Sequence, residues 1–298
     1  MLRLTALLFA TSVAVAAPVP KAAKSQLLVV TVDAKTGKSQ LVLIDADGQN
    51  PKELTDTESN ASYPAWSPDG KQIAFSSDRG GGAWHVFVMD ADGTNVKKLS
   101  RDDDCGARVP SWSPDGKRIA YCRRGPGGDS DVLVVDAADG KNPTVIGDGD
   151  AWEAAFSPDW SRLAFVSFRD NSGLLMLYTM AADGSKVAKV NTDGNATQFG
   201  HPCWKPDGKT IAFSLTEGEA TEIHAVDADG KNPARLTTFG GYSVYPAFSP
   251  DGKKLAFVQY KPGEKAELIL ADADGKNPKA ILKDFTTAEG GRPAWRPK

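Results

Sequence analysis

The chain has 298 residues, with 35 Lys and Arg, 38 Asp and Glu, 29 Gly, 19 Pro and 3 Cys. Charges of both signs are interspersed, and the formal net charge of −3 gives no reason to expect a nucleic acid or an anionic membrane as a partner. The frequent Gly and Pro, together with enough apolar residues for a core, exclude disorder and favour a turn-rich globular protein.

The first 16 residues predict a signal peptide. Arg3 supplies a positive start, residues 4–15 are apolar, and Ala14 and Ala16 are the small residues that a signal peptidase requires, so we expect cleavage after Ala16. The apolar stretch is shorter than the roughly 20 residues that cross a bilayer. We therefore expect a periplasmic or extracellular protein that does not span a membrane, with a short linker over 17–25 and one domain over 26–298.

One segment recurs through the rest of the chain. Its first copy reads YPAWSPDGKQIAF, and the proline of its SPDG turn returns at positions 68, 114, 158, 206, 250 and 297. An Asp-Gly pair recurs with the same period of about 45 residues, so two independent markers define one repeat. The copies begin at Tyr63, Val109, Glu153, His201, Tyr245 and, in shortened form, Arg292.

Each repeat predicts four short strands. An apolar strand ending in Trp or Phe meets the Pro-Asp-Gly turn, in which Pro fixes φ and Gly accepts a left-handed backbone, and a second apolar strand follows. A third strand, such as residues 86–89, leads to the Asp-Gly turn and a short fourth strand. Four strands per period are typical of a propeller blade, which must stack on its neighbours to bury both faces.

The period alone leaves the number of blades open, and closure of the ring decides it. Residues 26–54 supply strands two to four of a blade that lacks its first strand, and residues 292–296 supply the missing inner strand. We therefore predict an all-β, six-bladed β-propeller with four-stranded blades. Its C-terminal strand completes the N-terminal blade and removes the exposed sheet edges.

The PAWSPDGKxIAF and DADG patterns resemble the repeat of the TolB-like six-bladed propellers. This WD40-like repeat, called PD40, also builds the non-catalytic propeller of prolyl-oligopeptidase-type peptidases. The resemblance covers residues 26–298 and implies a propeller fold. For function it implies the TolB role in outer-membrane integrity through a peptidoglycan-associated lipoprotein. TolB places an α/β domain before its propeller, and residues 17–25 are too few to encode one.

The Asp-x-Asp-Gly turns and one altered Pro-Asp-Gly turn each lead to a specific prediction. The Asp-x-Asp-Gly turns lack the later acidic ligand of a calcium loop, so we interpret their aspartates as caps that bond nearby backbone amides. Trp160 replaces the glycine of one Pro-Asp-Gly turn, and a left-handed Trp costs about 1 to 2 kcal/mol. We therefore expect Trp160→Gly to stabilise the protein unless the indole packs elsewhere.

No motif for catalysis or metal binding stands out. Residues 241–245 match only the first three positions of a G-x-S-x-G nucleophile elbow, and the three histidines are isolated from one another. We predict no catalytic residue, no metal site and no cofactor.

A predicted hairpin brings Cys105 near Cys122. In an oxidising compartment these two cysteines can form a disulfide or stay as two thiols, and the sequence does not decide between them. Cys203 is predicted to be a small buried residue.

The candidate ligand site is the face of the propeller where the loops meet the central channel. The two positions before each Pro-Ala-Trp triplet differ from blade to blade, while the residues around them stay constant. Charged donors beside aromatic rings suit a peptide or a carboxylate-bearing ligand, and a hydrated funnel without a ligand is the alternative. The candidate residues are Tyr63, Arg108, Trp152, Glu153, His201, Tyr245 and Arg292.

Three classes of function remain. We favour a monomeric scaffold that binds an envelope or secreted protein, a peptide or another ligand. The alternative is a propeller enzyme of the lyase or lactonase type, with its active site in the same funnel. A purely structural envelope protein is the third class.

Overall fold

The computed structural model describes residues 25–104, 106–124, 130–170, 172–190 and 196–297. The predicted signal peptide, most of the predicted linker and Cys105 lie outside this part of the chain. Within it the chain forms strands and no helix, and therefore no helix that could span a membrane. In chain order the strands are β1 (Gln26–Val32), β2 (Ser39–Asp45), β3 (Lys52–Glu53), β4 (Ala61–Trp66), β5 (Gln72–Ser77), β6 (His85–Asp90), β7 (Lys97–Lys98), β8 (Arg108–Trp112), β9 (Arg118–Arg124), β10 (Ser130–Asp136), β11 (Thr144–Ile146), β12 (Trp152–Phe156), β13 (Arg162–Ser167), β14 (Met176–Ala181), β15 (Ala188–Lys189), β16 (Ala196–Trp204), β17 (Thr210–Glu217), β18 (Ala220–Asp227), β19 (Ala234–Arg235), β20 (Tyr242–Phe248), β21 (Lys254–Tyr260), β22 (Ala266–Asp272), β23 (Lys279–Phe285) and β24 (Ala294–Trp295).

The strands form antiparallel, four-stranded meanders. Three sheets contain β4–β7, β8–β11 and β12–β15, and a fourth has the order β24-β1-β2-β3. Strands β16–β23 form a larger sheet, in which the meanders β16–β19 and β20–β23 are joined by a single parallel pairing of Thr221 with Tyr242. The prediction of an all-β protein built from four-stranded sheets is confirmed.

Adjacent sheets bury their faces against each other. The second strand of a sheet carries a fully enclosed aromatic residue from the repeated apolar triplet, such as Phe75, Phe165 or Phe257, each 0% exposed. One core cluster joins Val132 of β10 to Phe165 of β13, which belong to different sheets. The hydrophobic cores therefore lie between the sheets, as expected where one small sheet cannot bury both faces alone.

The tryptophan at the end of a first strand links its sheet to a neighbouring sheet. Its indole N–H donates to a main-chain carbonyl that lies just before the equivalent aromatic position of the neighbour. At 2.9 to 3.2 Å, these bonds run from Trp66 to Ala294, from Trp112 to Ala65, from Trp204 to Ala155 and from Trp295 to Ala247. The first and the last of them hold β24 between β4 and β20.

Side chains close the turns of each repeat. In a Pro-Asp-Gly turn, Ser67 Oγ donates to Asp69 Oδ1 at 2.7 Å, and the Gln72 amide donates to Ser67 Oγ at 2.9 Å. In an Asp-x-Asp-Gly turn, Asp92 Oδ1 accepts from the Thr94 amide at 3.0 Å. These carboxylates act as turn caps, as we interpreted them from the sequence.

Trp160 has the predicted left-handed backbone, with φ of 58°. Its indole is not free, however, because it stacks on Phe156 with ring centroids 4.3 Å apart and the planes inclined by 22°. Since glycine would relieve the strain and also remove this stack, the expected gain in stability from Trp160→Gly does not follow. The sequence shows the strained turn but not the stacking partner.

Candidate functional site

Five residues at the start of the repeats have a left-handed backbone although none of them is glycine. The pairing with the second strand is interrupted at each of these positions, for example between Ser62 and Ala65. A bulge of this kind re-aims a side chain away from the regular pleat, and the conformation costs about 1 to 2 kcal/mol for a residue with a Cβ. The five residues, with φ between 51° and 60°, are Tyr63, Val109, Glu153, His201 and Tyr245.

Four of the seven candidate residues line one cavity of about 380 Å³. They come from three first strands of neighbouring sheets: Tyr63 from β4, Arg108 from β8, and Trp152 and Glu153 from β12. Glu289, in the loop between β23 and β24, lines the same cavity. The structure therefore brings residues of three sheets and one loop to one polar and aromatic pocket.

The other three candidates lie outside the lining of this cavity. His201 is tied to it through its backbone amide, which donates to Glu153 Oε2 at 2.6 Å. The rings of His201 and Tyr245 are in contact, with centroids 4.1 Å apart. Arg292 Nη2 donates to the carbonyl oxygen of Pro202 at 2.8 Å, so this guanidinium holds the loop before β24 against β16.

Arg108 is held in place from two sides. Its guanidinium lies over the ring of Trp84, 4.9 Å from the centroid, and Nη1 donates to Glu289 Oε1 at 2.5 Å. The Tyr63 hydroxyl donates to the same oxygen at 3.3 Å. Among the described residues, the buried Nε of Arg108 has no hydrogen-bond partner. The site therefore presents a pre-oriented cation beside a phenol donor, an arrangement that recognises a carboxylate.

The imidazole of His201 lies in an environment that disfavours its charged form. Burial lowers the pKa of His201 below its ordinary value, the nearby Arg292 lowers it further, and the carboxylate of Glu153 opposes both effects. Nδ1 is 3.1 Å from Ser214 Oγ, and Nε2 is 3.6 Å from Glu153 Oε1. His201 is therefore neutral at neutral pH, and the ring serves as a packed hydrogen-bonding group.

The side chains of Tyr63 and Tyr245 stay protonated. Burial, reinforced by Glu289, raises the pKa of Tyr63 above its ordinary value, and burial raises the pKa of Tyr245 to about 12. The Tyr245 hydroxyl accepts a hydrogen bond from the Gly290 amide at 3.2 Å. Both phenols can donate hydrogen bonds to a ligand or to the protein, and neither is prepared to act as a base.

Glu289 and Trp84 are site residues that the sequence reasoning missed. Both lie in loops outside the repeated segment, so comparison of the repeats does not align them. The signal in the sequence that could have pointed to Glu289 is the Gly290-Gly291 pair that follows it. In the structure Gly290 has a φ of +77°, and a Cβ on it would lie 2.5 Å from the ring of Tyr63. A glycine at this position lets the loop approach the ring closely, which carries Glu289 to Arg108.

The cysteines lie close to the site, but their pairing stays a prediction. Cys105 is outside the described residues, while Cys122 lines the cavity, and burial raises the pKa of the Cys122 thiol to about 11. Burial also raises the pKa of the Cys203 thiol. In the described ranges, no group of three or more His, Cys, Asp or Glu side chains is arranged to hold a metal ion.

A family model described as the TolB beta propeller domain matches residues 12–151 and 126–266. The chain is 34% identical over 104 residues to a TolB homologue of Chlorobium chlorochromatii. The matched segment covers 35% of this chain and 22% of that protein. It is 34% identical over 129 residues to the Tol-Pal system protein TolB of Bordetella pertussis, over 42% of this chain and 28% of that protein. The matches thus span about a quarter of these curated relatives.

The fold is similar to solved structures. TolB from Acinetobacter baumannii superposes with a TM-score of 0.74 at 22% identity, over 92% of this chain and 67% of that chain. An oligogalacturonate lyase from Vibrio parahaemolyticus superposes with a TM-score of 0.56 at 17% identity, over 88% of this chain and 74% of that chain. At these identities the similarity concerns the fold alone, and one fold hosts several activities.

Proposed function

The chain belongs to the TolB β-propeller family, and from this premise we propose that it is an exported binding scaffold. In this proposal the mature protein is a monomer in the periplasm or outside the cell. It holds an envelope or secreted protein, a peptide or another carboxylate-bearing ligand at the loop face of its central channel. The similarity to a TolB homologue and to a Tol-Pal system protein TolB supports this location and this kind of partner.

The proposal includes six blades in a closed ring. The meanders β4–β7, β8–β11, β12–β15, β16–β19 and β20–β23 would be five blades, and β24-β1-β2-β3 the sixth. Support comes from β24, which pairs with β1 and is bonded through tryptophan indoles to β4 on one side and β20 on the other. Such closure leaves no blade with an unpaired inner edge.

One observation carries the binding function: the cavity beside Arg108 combines a pre-oriented cation with aromatic walls. Arg108 lies over Trp84, and Tyr63 and Trp152 line the same space. Aromatic rings provide contact area at low entropic cost, and an arginine held over a ring loses little freedom when it binds a carboxylate. Three of the five left-handed residues, Tyr63, Val109 and Glu153, line this cavity, and backbone strain of this kind is found at many binding sites.

The test begins with affinity capture, in which the mature chain is used to retain its partner from an envelope extract of the organism that makes it. Mass spectrometry then identifies the retained partner. The variant Arg108→Ala plus Arg292→Ala should then bind the captured partner more weakly by about 2 kcal/mol or more. The control Lys97→Ala plus Lys279→Ala also removes two positive charges, but from exposed positions on β7 and β23. If the arginine variant binds as tightly as the parent, the ligand site is elsewhere.

A second candidate is an enzyme of the lyase type in the same funnel, as in the alternative considered from the sequence. Its support is the fold similarity to an oligogalacturonate lyase, together with a neutral imidazole, His201, next to the carboxylate of Glu153. Incubation of the mature chain with oligogalacturonate, followed by ultraviolet absorbance of an unsaturated product, tests it. Product formation that is lost in His201→Gln would favour this candidate, and no product from the parent would exclude that substrate.

A further inference from the structure

The loop between β23 and β24 carries a carboxylate into the candidate site. Glu289 contacts one residue on each of two sheets, because its Oε1 accepts from Arg108 Nη1 of β8 at 2.5 Å and from the Tyr63 hydroxyl of β4 at 3.3 Å. Sequence reasoning assigned Arg108 to an external acidic ligand. In the structure, a side chain of the chain itself already occupies that position.

The backbone around Glu289 is fixed more firmly than its side chain. The carbonyl oxygen of Gly290 accepts from the Tyr63 amide at 3.0 Å, and the Gly290 amide donates to the Tyr245 hydroxyl at 3.2 Å. The Glu289 side chain is nevertheless 69% exposed, while that of Arg108 is 32% exposed. An ion pair so open to solvent is weak, so the carboxylate can leave Arg108 while the loop keeps its anchors.

The present contact also leaves donor capacity unused. Both donors reach the same oxygen, Oε1, whereas a guanidinium binds a carboxylate best through two parallel hydrogen bonds. A mobile ligand can adopt that geometry, but Glu289 approaches from a loop with a fixed backbone. Arg124, whose exposed side chain lines the same cavity, adds positive potential for an incoming anion.

We propose that Arg108 and Tyr63 form a carboxylate-binding subsite, and that Glu289 is an internal carboxylate which occupies this subsite until an acidic ligand displaces it. The inference rests on the proposed function, since it defines the ligand class of the same channel. The ligand is accordingly a peptide or protein segment with exposed Asp, Glu or C-terminal carboxylates. Its affinity is reduced by competition with Glu289.

The test uses a dye-labelled tetraglutamate peptide as the probe, a tetraglutamine peptide as the uncharged comparison, and fluorescence anisotropy on the mature chain. Glu289→Gln should bind tetraglutamate about fivefold more tightly than the parent, which is the size expected when an exposed ion pair no longer competes. Adding Arg108→Gln to this variant should abolish the binding. Tetraglutamine should bind neither protein.

Glu267→Gln is the matched control. Glu267 lies on β22 and forms an exposed ion pair with Lys283 at 3.3 Å, so this variant loses the same charge and a similar contact away from the cavity. Its affinity for tetraglutamate should equal that of the parent. Thermal melting of each variant shows whether folding is retained.

Two results would overturn the inference, and they differ in what they leave standing. If Glu289→Gln and the parent bind tetraglutamate equally well and both need Arg108, Glu289 is not a competitor, while the channel remains a binding site. If neither protein binds tetraglutamate, there is no carboxylate subsite at Arg108. The proposed function is then tested separately, by capturing the partner and by measuring whether the Arg108→Ala plus Arg292→Ala variant binds it more weakly.

Discussion

Glu153 accepts a hydrogen bond from the backbone amide of His201 at 2.6 Å, although the two residues belong to different sheets. Both are left-handed residues at the same position of successive repeats. The Glu153 carboxylate at one bulge therefore accepts from the backbone amide at the next bulge. Its other oxygen, Oε1, lies 3.6 Å from His201 Nε2. This contact couples the geometry of neighbouring first strands to the charge state of one imidazole.

The partly buried His201 predicts how stability depends on pH. Because burial lowers the pKa of His201 in the folded state, the unfolded chain takes up a proton more readily below its ordinary pKa of 6.5. The stabilisation is therefore present above pH 6.5 and is lost as the pH falls toward the folded-state pKa. Thermal melting at pH 7.5 and 5.5 should show a smaller decrease for His201→Gln than for the parent, and equal decreases would contradict the assignment. His85 and His224, whose pKa values burial also lowers, keep part of the effect in the variant.

Trp160→Gly should lower stability by about 1 kcal/mol. Glycine relieves about 1 to 2 kcal/mol of left-handed strain, but it removes an indole that is partly buried and stacked on Phe156 at 4.3 Å. Trp160→Phe keeps a ring on Phe156 and also keeps the strain, so it should fall between the parent and the glycine variant. Chemical denaturation measures all three proteins, and a glycine variant more stable than the parent would show that strain outweighs the stack.

Gly290→Ala should destabilise the protein more than Gly263→Ala does. Both glycines have a left-handed φ, of +77° and +79°, so the strain from an added Cβ is about the same. The Cβ on Gly290 meets the Tyr63 ring at 2.5 Å, whereas nothing lies within 4 Å of the one on Gly263. We expect a difference of about 1 to 3 kcal/mol in the free energy of unfolding, measured by urea denaturation. Equal losses would mean that the loop is not pressed against Tyr63.

Deletion of residues 291–298 should lower the melting temperature by about 10 °C. It removes β24 with Trp295 and with the Ala294 carbonyl oxygen that accepts from the Trp66 indole. It also removes Arg296, whose guanidinium lies 4.9 Å from the Trp66 ring centroid. Truncation of a tryptophan packed in a core costs about 3 to 5 kcal/mol, and we expect a loss of this order when the partly buried Trp295 is removed together with its strand. Each kcal/mol lowers the melting temperature of a chain of this size by about 2 to 4 °C. Deletion of 297–298 alone retains β24 and should have a small effect. An unchanged melting temperature after the longer deletion would exclude a structural role for β24.

The repeats made most of the fold predictable. Regular spacing of the Pro-Asp-Gly and Asp-Gly turns placed the hairpins, and the apolar triplets between them identified second strands such as the one that holds Phe75. Local turn chemistry and strand periodicity are properties of neighbouring residues, so one sequence is enough to reveal them.

The site was predictable only in part, because its geometry depends on contacts between distant segments. Variation between repeats singled out Arg108 and Glu153, which line the cavity. It could not show that Arg292 binds a main-chain carbonyl, or that Glu289 reaches Arg108 from a loop far along the chain. The left-handed backbone of Val109 could not be predicted either, because this conformation is unfavourable for a β-branched residue.

The pairing of β1 with β24 has a consequence for biosynthesis. Leu27 and Trp295 pair in the finished protein but lie near opposite ends of the described chain, so during synthesis and export one partner emerges long before the other. The other meanders consist of consecutive strands and can assemble as they emerge, whereas β1 waits with an unpaired edge until the last strand is made. During that interval the edge is open to pairing with another nascent chain, and a chaperone that shields β1 would act at the step where misassembly is easiest.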